Sequence, residues 1–218
     1  MPFQDRQDAG RRLADALQSL KSEDAVIFAL PRGGVPVAAQ IAEALDAPLD
    51  LVLVRKIGAP FQPELAMGAV ANGGDMVVVR NEDVIALAGV TETQFHRTLA
   101  HEIEEIERRR RLYFGDRPRT EAKGRVAIVV DDGVATGATT RAALRAIRAR
   151  APKRLILAVP VAPTETLDEL RGEADDIICL ESHDYFLGVG CYYADFRQTE
   201  DPEVIELLDR YGPQPERG

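Results

Sequence analysis

The chain has 218 residues, of which 45% are hydrophobic and 29% are charged, a balance typical of globular proteins and not of disordered, collagenous or coiled-coil chains. Its formal net charge of −9 opposes binding to a phosphate backbone over the whole surface, so we do not expect nucleic acid as a partner. With only two cysteines, Cys179 and Cys191, the sequence indicates a reducing compartment. It has no signal-peptide pattern and no run of ~18 apolar residues, so we expect a cytoplasmic protein without a membrane partner.

The first 54 residues predict one helix followed by a β-α-β unit. Leucines at helical spacing predict an amphipathic helix over 5–20. Two short apolar runs, 25–30 and 49–54, are typical of strands buried on both faces, as in parallel sheets. Residues 35–47 have helical periodicity and would connect these two strands.

The middle of the chain predicts a change from parallel to antiparallel structure. Two short strands are expected at 66–71 and 76–79, separated by the turn signal Asn72-Gly73-Gly74. Together they would form an antiparallel hairpin inserted into an otherwise parallel fold.

A long polar helix is predicted from about Thr91 to Tyr113, with Thr91, Glu92 or Thr93 as its N-cap. Acidic residues precede basic ones in its centre, so Arg108–Arg111 is interpreted as a charged helix face. The hairpin and this helix make up an insertion over 57–120, which we expect over the functional site as a lid or as a dimer surface.

The remaining chain alternates strands and helices, which predicts an open α/β sheet. Strands are expected at 125–130, 154–162 and 175–180, and helices at 138–150, 164–172 and 202–211. A glycine-rich stretch, 186–193, precedes the last helix.

The strongest functional signal follows the predicted strand 125–130. Asp131 and Asp132 are followed by a loop of small residues that opens a helix, whose free N–H groups and positive dipole end favour a phosphate. The carboxylates could accept hydrogen bonds from sugar hydroxyls or lie close to a metal. The sequence lacks the P-loop and dinucleotide-binding glycine patterns, so a phosphorylated sugar is the favoured ligand.

This string resembles the signature of the type I phosphoribosyltransferases, and further similarity extends from about Ala25 to the C-terminus. Leu30–Gly34 resembles the pyrophosphate loop of the family, and Arg55-Lys56 resembles the start of its mobile catalytic loop. Tyr185–Gly190 resembles the hood that holds the nucleobase. The chain is also similar to a bacterial subgroup of about this length without an assigned activity.

The resemblance implies a mostly parallel five-stranded sheet flanked by helices, with a small C-terminal hood and an inserted hairpin and long helix. It implies a core at 1–180 that binds 5-phosphoribosyl 1-pyrophosphate (PRPP). Residues 181–218 would form the hood segment and the final helix.

The resemblance also implies roles for individual residues. Ribose and 5-phosphate would be bound by Asp131, Asp132, Gly133, Val134, Ala135, Thr136, Gly137, Ala138 and Thr139. Pyrophosphate would be bound by Arg32, Gly33 and Gly34, and the catalytic charge would come from Lys56 and Arg55. The nucleobase would be bound by Phe186 and Leu187, and Mg²⁺ would be held mainly by PRPP with Asp131 and Asp132 nearby.

Two departures from the family pattern bear on the acceptor base. Members that use hypoxanthine or guanine usually carry Asp before the Thr-Gly pair, where this chain has Ala135, as adenine-type members do. An acidic residue that those members carry past the hood glycine is replaced here by Tyr192. Hypoxanthine and guanine are therefore not expected acceptors.

Two further residues have open interpretations. Glu64 is either a base that deprotonates the acceptor or, as we favour, a structural or solvated residue. His183 lies near the hood, but Ser182-His183-Asp184 is contiguous, so its side chains diverge and a hydrolytic triad is not expected.

These features predict a Mg²⁺-dependent enzyme that transfers the phosphoribosyl group of PRPP to a nitrogenous base and releases pyrophosphate. The alternative is a PRPP-sensing regulator that binds a protein or nucleic acid without turnover. The presence of Arg32-Gly33-Gly34 and Lys56 favours the enzyme, because a regulator needs only the Asp131–Thr140 string. Whether the chain forms a homodimer is left open.

Overall fold

The computed structural model describes residues 2–72, 76–115 and 117–213, which form two sheets and seven α-helices. The strands are β1 Ala25–Ala29, β2 Leu49–Leu51, β3 Leu53–Ala59, β4 Gln62–Asn72, β5 Met76–Arg80, β6 Val126–Val130, β7 Arg154–Pro163 and β8 Asp176–His183. The helices are α1 Arg6–Ala16, α2 Gly34–Leu45, α3 Glu82–Leu87, α4 Glu92–Phe114, α5 Ala138–Arg148, α6 Thr164–Leu170 and α7 Asp201–Tyr211.

The main sheet has five parallel strands in the order β2-β1-β6-β7-β8. Each of the five predicted strands contributes residues to this sheet, 49–54 only its first half, so the predicted α/β class is confirmed. Every residue of β1 and β6 is buried, because helices cover both faces of the sheet. The carboxyl ends of these two central strands lie side by side, with Ala29 paired to Val130.

The two faces of the main sheet belong to two hydrophobic clusters. Ile27 and Ile128 pack with α1, α2 and α7, whereas Phe28 and Val129 pack with the apolar face of α5. Alternate residues of one strand thus enter opposite layers, which fixes the register of each strand.

The predicted strand 49–54 is wrong as a single element, because the chain changes sheets at Val52. Residues before it form β2 in the parallel sheet, and residues after it form β3 in a second, antiparallel sheet of order β3-β4-β5. Apart from the buried Asp50 the run is apolar, and Leu51, Val52 and Leu53 are all buried, so periodicity gives no sign of the break.

The predicted hairpin is present as part of this second sheet, with Ala69 paired to Val79. It is larger than predicted, because β3 adds a third strand and β4 begins at Gln62. Of the predicted turn, Gly73 and Gly74 lie outside the described residues.

Helix α4 covers one face of the second sheet, and α5 lies against the other. Thr91 is the N-cap of α4 and forms a capping box with Gln94. Of the three residues predicted as possible caps, the structure therefore has Thr91. Arg108 and Arg109 pair with Glu105 on α4, consistent with a charged helix face. No helix in the described ranges is long and apolar enough to cross a membrane.

Both ends of the chain contribute to the hood region. Phe3 is fully buried against Tyr193, with ring centroids 5.4 Å apart. Its N–H donates to the Tyr192 carbonyl at 2.8 Å, and its carbonyl accepts from Ala194 N–H at 2.8 Å. The N-terminal segment is therefore part of the structure that surrounds the carboxyl ends of the main sheet.

Candidate active site

Two chain segments meet at the carboxyl ends of β1 and β6. Leu30 N–H donates to the Val130 carbonyl at 2.9 Å, which continues the pairing into the turn that follows β1. A Cβ on Gly33 would lie 2.0 Å from Asp132 Oδ2, and one on Gly34 would lie 2.9 Å from the Asp131 Cα. Glycine is therefore required at both positions for this close approach. In the same turn, the peptide bond between Pro31 and Arg32 is cis.

The two adjacent carboxylates are largely buried and interact with each other. Asp132 N–H donates to Asp131 Oδ1 at 2.9 Å. Burial raises the pKa of both side chains, and the charge of Asp132 raises the pKa of Asp131 further. The pair is thus a site where negative charge is costly unless a cation or hydrogen-bond donor compensates it.

Arg6 at the start of α1 supplies that compensation, a role that no pattern in the sequence predicted. Its Nε and one terminal nitrogen both lie 2.8 Å from Asp132 Oδ2. The two residues are 126 positions apart, and nothing in the local pattern of α1 marks Arg6 as different from its other polar residues.

The loop after the acidic pair leads into the N-terminus of α5. Gly137 is the N-cap with φ 72°, which favours glycine, and it has no side chain to occupy the free N–H groups. Thr166 Oγ1 donates to the Ala135 carbonyl at 2.8 Å and so holds the loop from α6. Thr136 and Thr139 are exposed, which leaves their hydroxyls available to an anion.

A cavity of about 440 Å³ lies between this loop and the second sheet. Thr136 and Ala138 line one side, and Gly68, Ala69 and Val79 line the other. The inserted sheet therefore stands directly opposite the start of α5.

Arg55 and Lys56 lie within β3 and not at the start of a loop, which corrects their predicted placement. Because side chains alternate along a strand, the two point to opposite faces of the second sheet. Arg55 faces α4 and pairs with Glu102 at 2.7 Å. Lys56 is paired across the strands with Ala69, which lines the cavity, so only Lys56 lies on the cavity side.

Lys56 is held by Glu64, with Nζ 3.0 Å from Oε2 and 3.4 Å from the Glu64 carbonyl. The Glu64 side chain is 93% exposed, so the pair is solvated and easily exchanged. This contact supports the interpretation of Glu64 as a solvated residue.

Arg32 turns toward the start of α7. Its Nη1 lies 3.4 Å from Asp201 Oδ1, which also accepts a hydrogen bond of 2.6 Å from Tyr113 OH. The Tyr113 hydrogen bond, together with the Arg32 charge, lowers the pKa of Asp201. Burial and the hydrogen bond to Asp201 raise the pKa of Tyr113 to about 12.

The aromatic residues of the hood are stacked. Phe186 lies on Tyr192 with ring centroids 5.1 Å apart, and His183 contacts the same tyrosine at 4.5 Å. Leu187 is 89% exposed at the tip of this segment. His183 Nε2 lies 3.5 Å from Glu181 Oε2, a contact outside any hydrolytic triad.

The acidic pair fits a magnesium ion that arrives with a phosphate-bearing substrate. In the described part of the chain, no group of three or more histidine, cysteine or acidic residues could enclose a metal. Mg²⁺ is commonly bound by one or two carboxylates together with substrate phosphates, and Asp131 and Asp132 offer that donor type.

Comparison with known proteins identifies similar chains. Residues 4–195 match the family model described as a phosphoribosyl transferase domain. Over 208 residues the chain is 44% identical to Rv0571c of Mycobacterium tuberculosis H37Rv and to MT0597 of strain CDC 1551, both named provisionally as phosphoribosyl transferases. The match covers 95% of this chain but 46% of each relative, so the chain spans about half of their length.

A solved structure of similar size supports the fold. TT1426 from Thermus thermophilus superposes with a TM-score of 0.80 and 40% sequence identity. The match covers 97% of this chain and 100% of that one.

Proposed function

The chain belongs to the phosphoribosyl transferase family, and from that membership we propose that it transfers the 5-phosphoribosyl group of PRPP to a nitrogenous base, with release of pyrophosphate. One observation carries the proposal. The glycine turn after β1 contacts the largely buried acidic pair after β6, next to a helix start with free N–H groups. PRPP carries a pyrophosphate, a ribose diol and a 5-phosphate on one molecule. Its binding would therefore need the glycine turn, the acidic pair and the helix start next to one another.

The chemistry of each environment supports one part of PRPP. Free N–H groups at the start of α5, with the hydroxyls of Thr136 and Thr139, would bind the 5-phosphate. Asp131 and Asp132 would accept hydrogen bonds from the ribose hydroxyls. The Gly33–Gly34 backbone, together with Arg32, would bind the pyrophosphate.

Transfer breaks the bond between ribose C1 and a pyrophosphate oxygen, and forms a bond from C1 to a nitrogen of the acceptor, whose N–H proton would pass to solvent. Negative charge grows on the leaving pyrophosphate while positive charge grows on the ribose, so fixed charges should provide most of the catalysis. Lys56 would leave Glu64 and contact the pyrophosphate, which the solvated nature of that ion pair permits. Bound Mg²⁺ would neutralise further charge on the pyrophosphate oxygens. Arg55 is engaged with Glu102, so we assign it no direct role.

The acceptor would lie between the stacked hood aromatics and the loop at Ala135. Phe186 would provide a ring face for the base, and Leu187 backbone groups would contact its edge. Alanine at position 135 has no side-chain acceptor for a base nitrogen, so hypoxanthine and guanine are not the proposed acceptors.

Calorimetric titration of PRPP with Mg²⁺ tests the proposal. The wild-type chain should bind, and the variant Asp131→Asn/Asp132→Asn should lose PRPP affinity while keeping its circular dichroism spectrum. The matched control is Asp175→Asn/Asp176→Asn, an adjacent pair of the same residues at the start of β8, at the opposite end of the strands. It carries the same change in charge and should bind PRPP as the wild type does.

A screen for pyrophosphate release over nucleobases then tests turnover. Release with one base class supports the transferase. PRPP binding without release for any base, together with binding to a protein or nucleic acid, would favour the PRPP-sensing regulator. Equal PRPP binding by wild type and the Asp131→Asn/Asp132→Asn variant would refute the site.

A further inference from the structure

The N-terminal helix places one arginine in the site described above. We propose that Arg6 is a positioning residue that fixes the Asp132 carboxylate for the PRPP ribose and connects it to the hood. The proposal rests on the proposed function, because the ribose is the ligand group that Asp132 would bind.

Arg6 binds one oxygen of Asp132 through two nitrogens of its guanidinium group. Nε and Nη2 both lie 2.8 Å from Oδ2, and the two side chains are 12% and 15% exposed. The Gly33 backbone packs against the same oxygen, since a Cβ there would lie 2.0 Å from it. Oδ2 therefore accepts from two Arg6 nitrogens, so a substrate hydroxyl would bind the other oxygen, Oδ1.

The guanidinium is itself fixed by the C-terminal segment. Nη1 donates to the Arg197 carbonyl at 2.6 Å, and Cζ lies 4.0 Å above the centre of the Phe196 ring. Tyr193 OH donates to the Asp132 carbonyl at 2.6 Å, so a second contact joins the hood to the same residue. Through Arg6, the orientation of Asp132 depends on residues 193–197.

Charge adds to this geometric argument. PRPP is a polyanion that would approach two adjacent, largely buried carboxylates, and like charges repel. Arg6 is a cation within hydrogen-bond distance of that pair and offsets one of the two negative charges. A lysine at this position would keep the charge but could not bind Oδ2 and the Arg197 carbonyl through a planar fork.

Arg12 provides a matched control on the same helix. It also pairs with an aspartate, Asp8, at 2.7 Å, and it also lies over an aromatic ring, 5.0 Å from the centre of Phe3. Its contacts stabilise α1 and the Phe3 packing without reaching Asp132. A general loosening of the N-terminal helix should therefore appear equally in Arg12 variants.

The test compares three ligands, each with Mg²⁺, in calorimetry of the full chain: PRPP, ribose 5-phosphate and inorganic pyrophosphate. Arg6→Gln should lower the affinity for PRPP and for ribose 5-phosphate at least about tenfold, because Asp132 loses a charged hydrogen-bond partner. Pyrophosphate lacks the ribose and should lose only the smaller effect of the Arg6 charge, so its affinity should fall clearly less than the affinity for PRPP. Arg6→Lys should restore part of the loss, and Arg12→Gln should bind all three ligands as the wild type does.

Each other outcome counts against the proposal. Unchanged or tighter PRPP binding by Arg6→Gln would overturn it, as would an equal loss for all three ligands or a similar loss in Arg12→Gln. If Arg6→Gln does not fold, Arg6→Lys decides, because it should still weaken ribose ligands selectively. A wild-type chain that binds none of the ligands refutes the proposed function, whereas wild-type binding with an unaffected Arg6→Gln refutes this inference alone.

Discussion

Substitution of Gly33 by alanine should disable the acidic pair by contact alone. Gly33 has φ −62° and ψ −34°, which any residue adopts, so backbone strain plays no part. The added Cβ would lie 2.0 Å from Asp132 Oδ2 and 2.6 Å from its Cγ, whereas ordinary contacts begin near 3.4 Å. The carboxylate must therefore move by about 1.4 Å, which is enough to break its bonds to Arg6.

The expected magnitudes follow from this displacement. Overpacking of this kind costs about 1–3 kcal/mol, so the melting temperature should fall by about 2–12 °C. Loss of one charged hydrogen bond to the ribose costs about 1.5–3 kcal/mol, so PRPP affinity should fall about 10- to 150-fold. Calorimetry measures the affinity, and thermal unfolding followed by circular dichroism measures the stability.

Gly172→Ala is the control, because a Cβ at Gly172 would have no atom of the described residues within 4 Å. That variant should match the wild type in both measurements. If Gly33→Ala bound PRPP within twofold of wild type, the close contact between the turn and the carboxylate would have no role in PRPP binding.

Three further predictions concern catalysis and stability. Lys56→Ala should lower the rate of pyrophosphate release more than it weakens PRPP binding, whereas Glu64→Gln should leave the rate unchanged or higher; a Lys56→Ala effect confined to binding would contradict this. Asp131→Asn should raise the melting temperature at pH 7, because burial and Asp132 raise the pKa of this carboxyl. Ionisation of Asp131 therefore lowers the stability of the wild type at pH 7, and the stability gained by Asp131→Asn should shrink as the pH is lowered toward 4. A variant that is less stable than the wild type at pH 7 would refute this prediction. Thr91→Ala removes a capping box and should cost about 1 kcal/mol, or about 2–4 °C, with no effect on PRPP binding.

The elements that the sequence predicted well are those with local signals. Strands β1 and β6 are apolar runs that end at proline or charged residues, and Thr91 is followed at the third position by Gln94. The Asp131–Thr140 string is contiguous, so its pattern can be recognised without knowing what surrounds it.

The elements that were missed depend on packing. The change of sheet at Val52 leaves no trace, because the residues on both sides of it are buried and apolar. Side chains alternate along a strand, so the position of Arg55 and Lys56 on opposite faces follows once β3 is known to be a strand. The sequence predicted a loop there, for which no such alternation is expected. The partner of Asp132 lies 126 residues away on a helix face that looks ordinary, so no single segment of the sequence could identify it.

The contribution of both chain ends to one site has a consequence for synthesis. Asp132 leaves the ribosome 61 residues before Tyr193, which at about 5–20 residues per second corresponds to roughly 3–12 s. During that interval, α1 and the acidic pair exist without the aromatic and carbonyl groups that fix Arg6. A ligand that depends on this arrangement of Asp132 would therefore stabilise the fold only after residues 193–197 are made.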